Sequence, residues 1–242
     1  MKNFKTIIRE SLIKFTGYYI LKKHALPVGS DLIVDLKSKI PFPINTVFDV
    51  GANVGQTAIW FNDYLKLASV YSFEPVKNTY LKLVENTSRI DQVKCFNLAL
   101  GEREELLKIK LFSDESSTLN SLKESSQNLN SNFSETIEVV TGDQFCLNNK
   151  IGQIDLLKID TEGFEIEVLN GFSEMLLNGK IKAIYCEVGF DPNNIRNTYI
   201  NNIFDFMNKH NYRFYGLYEI NNMPIKRSVN YGNALFISSS CL

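Results

Sequence analysis

VFDVGANVG, residues 47–55, runs apolar up to Asp49 and Val50 and then breaks into Gly51, Ala52, Asn53, Val54 and Gly55. Helix-compatible residues follow over 56–66. The pattern predicts a buried strand, a tight glycine turn and a helix start. Such a turn lets a ligand approach the backbone closely, where a side chain would block it, and the helix start behind it carries unsatisfied N–H groups.

Downstream of residue 46, strand and helix patterns alternate. Strands are expected at 46–50, 69–73 (SVYSF), 93–98 (VKCFNL), 105–112, 137–140, 154–159 (IDLLKI), 183–188 (AIYCEV), 212–218 and 234–238. Helices are expected at 56–66, 77–87, from Phe164 onward and at 199–210. Residues 113–134, rich in Ser and Asn, read as a long loop. Upstream, residues 4–19 space Phe4, Ile7, Ile8, Leu12, Phe15 and Tyr19 as one face of an amphipathic helix. Residues 26–45, with Pro27, Gly29, Pro41 and Pro43, form a connector. The expected organisation is an N-terminal helix and connector at 1–44 and one α/β domain at 45–242. Its mostly parallel sheet carries helices on both faces. Such sheets bind ligands at the C-terminal ends of their strands. The glycine turn, Glu74, Asp160 and Glu187 are all expected along that edge.

The chain has 242 residues, is 44% hydrophobic and 22% charged, and carries a formal net charge of -1. That is an ordinary globular composition without the basic excess of a nucleic-acid binder. Cys95, Cys146, Cys186 and Cys241 are far apart, so neither a zinc site nor a disulfide framework is expected. This usage fits a reducing, cytoplasmic setting. No apolar run reaches the ~18 residues of a membrane span. Residues 1–24 are basic, with Lys2, Lys5, Arg9, Lys14, Lys22 and Lys23 against Glu10. This segment is expected to pack on the domain or on another subunit, to lie on a membrane surface, or to cover the site.

Glu74 closes the second strand behind the glycine turn, where an acidic residue can accept hydrogen bonds from both ribose hydroxyls of an adenosine-type ligand. The turn reads GxxxG, with Asn53 where a dinucleotide loop would have its middle glycine, which argues against NAD and FAD. A GxxxxGK[ST] string is also missing, which disfavours a nucleoside triphosphate. S-adenosylmethionine has no phosphates and carries a sulfonium, and it suits a glycine turn flanked by carboxylates. Asp49 has two readings: a partner for the ligand's ammonium, or a cap on the turn's own N–H groups.

The strings VFDVGANVGQTA (47–58), YSFEP (71–75), NLALG (97–101) and IDLLKIDTEGFEIEVLNG (154–171) resemble, in order and spacing, the motif series of the FkbM family of S-adenosylmethionine-dependent methyltransferases. The likeness covers roughly residues 45–240, and LPVGSDLIVDL (26–36) is similar to the lead-in of some bacterial members. The resemblance implies a class I methyltransferase fold, with a seven-stranded sheet whose last strand is antiparallel, and O-methylation, often of sugars or secondary metabolites. It further implies that Asp49, Gly51, Asn53 and Gly55 form the methionine-binding loop and that Glu74 holds the ribose. Asn97 and Ala99, at the end of the third strand, would lie near the adenine. Ser116 and Ser117 are similar to a serine element of the family.

Methyl transfer to a hydroxyl is an in-line displacement, so alignment comes first and a base second; a base adds ~10²–10⁴-fold. His24 and His210 fall away from the expected edge. The catalytic candidates are Asp160 and Glu162, in KIDTEGFE (158–165), and Glu187; Asp160 also faces the cofactor's methyl region. The charges of that string have a second reading, as helix N-terminal residues complementing the dipole. No metal ligand set is assigned; Mg²⁺ on these carboxylates is an alternative that no spacing demands. Phe190, Asp191 and Arg196 are candidate acceptor contacts, and Tyr212, Phe214, Tyr215 and Tyr218 are either stacking residues or core. The expected function is O-methylation of a sugar or glycosylated small molecule. The alternatives are an amine or lipid-linked acceptor, and a catalytically silent cofactor-fold subunit.

Overall fold

The computed structural model describes residues 4–18, 22, 25–38, 40–111, 133–194, 196–223 and 228–242. The chain divides into two compact units, Met1–Ile40 and Pro41–Leu242. In the first, helix α1 spans Phe4–Thr16 and α2 spans Leu32–Ser38. Ile8, Leu12 and Phe15 on α1 are exposed, Phe15 to 93%. In α2, Leu32, Ile33 and Leu36 are buried, and the buried Asp35 accepts a hydrogen bond from the Gly29 N–H at 2.9 Å.

The second unit is built on a seven-stranded sheet. Its strands are β1 (Thr46–Val50), β2 (Ser69–Phe73), β3 (Val93–Phe96), β7 (Ile154–Ile159), β8 (Ile181–Gly189), β9 (Tyr212–Met223) and β10 (Ser228–Ser238). The spatial order is β3-β2-β1-β7-β8-β10-β9. Every neighbouring pair is parallel except those of β10, which runs antiparallel to both β8 and β9. This is the expected class I methyltransferase sheet, with the last strand inserted antiparallel. The central strands are mostly apolar because both faces are covered: all six residues of β7 are buried, Asp155 and Lys158 included, as are Val47, Phe48, Asp49 and Val50 of β1. Helices α3 (Gln56–Tyr64), α4 (Lys77–Thr87), α6 (Glu165–Asn170), α7 (Ser173–Leu177) and α8 (Ile200–Lys209) connect or follow these strands. A core of Phe48, Phe73, Phe145, Phe172 and Phe236 joins the layers. At the N-terminal end of the sheet, Asp155 pins the start of β1 by accepting from the Asn45 and Thr46 N–H groups at 2.8 and 3.0 Å.

A second sheet, ordered β4-β6-β5, comprises β4 (Ala99–Leu100), β5 (Glu105–Leu111) and β6 (Phe133–Val140). It revises the expected strand at 93–98. The third strand ends at Phe96, where the Asn97 side chain turns back to donate to the Glu74 and Pro75 carbonyls at 3.0 and 2.8 Å. Ala99 therefore belongs to a separate strand, paired with Val139. Helix α5 (Gly142–Asn148) had too few apolar residues for periodicity to show, and is held instead by Thr141, whose hydroxyl accepts from the Gln144 N–H at 3.1 Å. The late strands extend beyond the expected bounds, because β9 and β10 form a long hairpin. The loop expected at 113–134 lies outside the described residues apart from Phe133 and Ser134, which begin β6. Ser116, Ser117 and His24 also lie outside them.

Candidate active site

The glycine turn sits at the C-terminal end of β1, between β2 and β7. The Gly51 and Ala52 N–H groups both donate to the Phe73 carbonyl, at 3.1 and 2.9 Å, and the Asp160 N–H donates to the Val50 carbonyl at 3.0 Å. Gly51 has φ 77°, and a Cβ there would lie 1.8 Å from the Asp160 carbonyl oxygen. Glycine is thus required for the ends of β1 and β7 to meet. Gly55, φ 96°, has another reason: a Cβ would press on Leu83 and Thr87 of α4, at 2.9 and 3.2 Å. Its smallness serves helix packing at the start of α3. Asn53 between them also lies at positive φ, 49°, a region that asparagine tolerates better than most residues.

Glu74 follows β2 and is 7% exposed. Its Oε2 accepts from the Asn53 N–H at 3.1 Å and its Oε1 from the Val76 N–H at 2.9 Å. The carboxylate thereby clamps the turn while each oxygen keeps a second lone pair. Burial pushes its pKa up to about 7, against the pull of those two N–H groups and of Lys158. Asn97 stands beside it, holding the Glu74 carbonyl. The Ala99 side chain packs with Val76, Ile137 and Val139 in the core of the small sheet.

Lys158, on β7, is buried beneath the turn. Its ammonium lies 2.9 Å from Asp49 Oδ1 and 3.6 Å from Asp160 Oδ2, and donates to the Gly51 carbonyl at 3.1 Å. Burial alone would lower the lysine's pKa, but the two carboxylates outweigh it and hold the group charged. Asp49 is fully buried, and its Oδ2 has no hydrogen-bond donor among the described residues. Its carboxylate therefore does not cap the turn's N–H groups; it serves as the counter-ion of Lys158.

Beyond β7 the chain turns through Glu162 at φ 53° and Gly163 at φ 99°. This tight passage is organised by Glu165, which is 0% exposed. Its Oε1 accepts from the Thr161 N–H, the Thr161 hydroxyl and the Gly163 N–H at 3.1, 3.1 and 3.0 Å, and its Oε2 from the Thr198 hydroxyl. Glu162 points outward into a two-pronged ion pair with Arg196: Nη2 donates to Oε1 at 2.7 Å and Nε to Oε2. Both contacts fasten the 190–199 segment to the end of β7. Glu187, near the end of β8, is 8% exposed and accepts from the Asn197 amide at 2.5 Å through Oε2. Burial, then the nearby Asp160, Glu162 and Glu165, raise its pKa to about 8.

These residues open onto a cleft of about 810 Å³ lined by Asp160, Glu162, Glu187, Asp191, Arg196 and Glu219, six asparagines, Val229 and Tyr231. The structure thus gathers the three catalytic candidates, Asp160, Glu162 and Glu187, along one wall. Asp191 and Arg196 also line it, but Tyr212 and Tyr218 are buried in the core. Sequence reasoning did not single out Asn197, Glu219, Asn230 or Asn233. Only the run of asparagines after Asp191 signalled some of them. Among the described residues, no three His, Cys, Asp or Glu side chains group to hold a metal ion, and no helix is long and apolar enough to cross a membrane.

Residues 49–214 match the family described as the methyltransferase FkbM domain. The hexuronic acid methyltransferase AglP of Haloferax volcanii is 26% identical over 151 residues, 62% of this chain and 59% of that protein. The 2-O-methyltransferase NoeI of Sinorhizobium fredii is 26% identical over 166 residues, 64% of this chain and 66% of that protein. The matches thus span under two thirds of each relative's length. Among solved structures, TrmK of M. capricolum in complex with S-adenosyl-homocysteine superposes with a TM-score of 0.51 at 13% identity, covering 86% of this chain and 67% of that one. That similarity supports the fold.

Proposed function

Because this chain belongs to the FkbM methyltransferase family, we propose that it transfers a methyl group from S-adenosylmethionine to a hydroxyl of a sugar or glycosylated molecule. The observation that carries this reading is the position of Asp160. Its backbone seals against Gly51 and its side chain lines the polar cleft, so the glycine turn and the cleft share one residue. The residues of the turn fit the methyl donor. Buried Glu74 keeps lone pairs for a ribose diol, Asn97 stands beside it near the adenine position, and Asp49 Oδ2 is a buried acceptor without a donor. Asp49, Gly51, Asn53 and Gly55 form the loop around the donor's amino-acid part.

S-adenosylmethionine held there would supply a methyl carbon activated by its sulfonium, with the sulfur as leaving group for the acceptor oxygen. The chain supplies alignment, which can be worth ~7–11 kcal/mol, and a base. Glu187 accepts the hydroxyl proton; its raised pKa makes it a stronger base than an ordinary carboxylate. Asp160 orients the same hydroxyl toward the methyl. Glu162 acts through Arg196, fixing the wall of the cleft, which departs from a direct catalytic role. The acidic lining repels phosphate and so favours a sugar over a nucleic acid. The names of the two relatives are consistent with this acceptor class.

Asp160→Asn tests the reading. Calorimetry should show S-adenosylmethionine still binding, while transfer of a labelled methyl to sugar acceptors drops by ~10²-fold or more. Normal turnover by this variant would sink the assignment, and failure of the parent protein to bind the cofactor would favour a silent subunit. We also read α1 as a contact with an anionic lipid surface, on the exposure of Ile8, Leu12 and Phe15 beside a basic sequence.

A further inference from the structure

The cleft beside Asp160 has a one-sided charge. Among the described residues, five carboxylates line it, Asp160, Glu162, Glu187, Asp191 and Glu219, against a single lining cation, Arg196, already bound to Glu162. The donors that hold Glu187, Asp191 and Glu219 are neutral. Asp191 Oδ1 accepts from the Asn193 N–H at 2.9 Å, and Glu219 Oε2 accepts from the Tyr185 hydroxyl at 3.2 Å and the Asn233 amide at 3.1 Å. Glu187 is over nine-tenths buried and lines the cleft, and only its Oε2 has a donor. An amide or phenol satisfies hydrogen bonding without cancelling charge, so Asp191 and Glu219 keep the space where an acceptor would sit negative, and Glu187 adds its charge as pH rises through about 8. Lys158 lies behind the wall, where it pairs with Asp49 at 2.9 Å and Asp160 at 3.6 Å, so it offsets part of the Asp160 charge and leaves Asp191 and Glu219 without a cation among the described residues.

We propose that this cleft selects an acceptor sugar bearing an ammonium group, and discriminates against a sugar bearing a carboxylate. The inference rests on the methyltransferase reading for the identity of the cleft, but on charge alone for its preference. An ammonium can pair with Asp191 or Glu219, leaving Glu187 to its role as base, while the asparagine amides serve the neutral hydroxyls. A uronate would add a like charge beside these carboxylates and gain no cation in return. This separates the chain from its relative named for hexuronic acid, to which it is 26% identical.

The test uses methyl glycosides of glucosamine, galactosamine and mannosamine, each with its neutral and uronate counterpart. Binding to the full-length protein is measured by calorimetry with S-adenosyl-homocysteine present, and methyl transfer is measured separately. At least one amino glycoside should bind about tenfold or more tighter than its neutral counterpart, the scale of one charge-assisted hydrogen bond, and its uronate more weakly still. Asp191→Asn combined with Glu219→Gln should shrink that preference severalfold, and added salt should narrow it. A uronate that binds as well as its amino counterpart, no binding by any amino glycoside, or a preference untouched by the double variant overturns the proposal. Transfer to a neutral or uronate sugar alone would overturn it while leaving the methyltransferase reading intact. Tight amino-glycoside binding without transfer would do the reverse.

Discussion

Gly51 holds φ 77° where a Cβ would lie 1.8 Å from the Asp160 carbonyl oxygen. Gly51→Ala therefore combines an unfavourable backbone region with a backbone collision, which can be relieved only by separating β1 from β7. We expect a clear fall in melting temperature and at least a tenfold loss of S-adenosylmethionine affinity by calorimetry; unchanged affinity would show that the turn does not shape the donor site. Glu187 leads to a prediction of opposite character. As a base it must be unprotonated, and its pKa lies near 8. The rate at saturating acceptor should thus rise with pH and level off above about 8 in the parent protein. Glu187→Gln should be slower by ~10²–10⁴-fold with that rise abolished. A variant that keeps the rise would assign the proton to another group. At this scale the positions of Glu74, Asp160 and Glu187 were legible in the sequence, because each ends a recognisable strand. The ion pair of Glu162 was not, because its partner Arg196 lies on a distant segment and has no local signal.

The site is made by the ends of elements. Strands β1, β2, β7 and β8 deliver the glycine turn, Glu74, Asp160 and Glu187 to one edge, because parallel strands joined by crossovers all point the same way. The acceptor wall has a different origin. The segment after β8 is folded back by Asn197 on Glu187, Thr198 on Glu165 and Arg196 on Glu162. Two of its side chains thus report to the turn after β7 and a third to β8. Helix α1 leaves Ile8, Leu12 and Phe15 exposed, and its sequence carries Lys5, Arg9 and Lys14. Apolar area together with basic charge gives binding to anionic bilayers that weakens with salt. Full-length protein should pellet with phosphatidylserine-containing vesicles at low salt and a form lacking residues 1–24 should not. Equal pelleting of the two forms would remove α1 from the membrane.

Across the whole molecule, the buried carboxylates make stability depend on pH. Glu74 and Glu187 titrate near 7 and 8 in the folded protein against an ordinary value of 4.5, because folding desolvates them. Between about 4.5 and 8 the native state binds more protons than the unfolded chain, so stability falls as pH rises through that window. Lys158, whose pKa is raised, acts only above the ordinary lysine range. The melting temperature should be higher at pH 6 than at pH 8.5, and Glu74→Gln with Glu187→Gln should flatten the difference; a steeper dependence in the double variant would contradict the assignment. The sequence by itself determined the alternating α/β order and the glycine turn with its acidic strand ends, which are written locally, in apolar runs and chain-breaking residues. The antiparallel last strand was implied only by the family resemblance. The tertiary structure alone decided that Asp49 neutralises Lys158, that Gly55 serves helix packing, that Glu162 is a strap, and that asparagines and Glu219 from late in the chain complete an acidic cleft. Those outcomes depend on burial and on contacts between residues far apart in sequence, and a charge's partner exists only once the chain has folded.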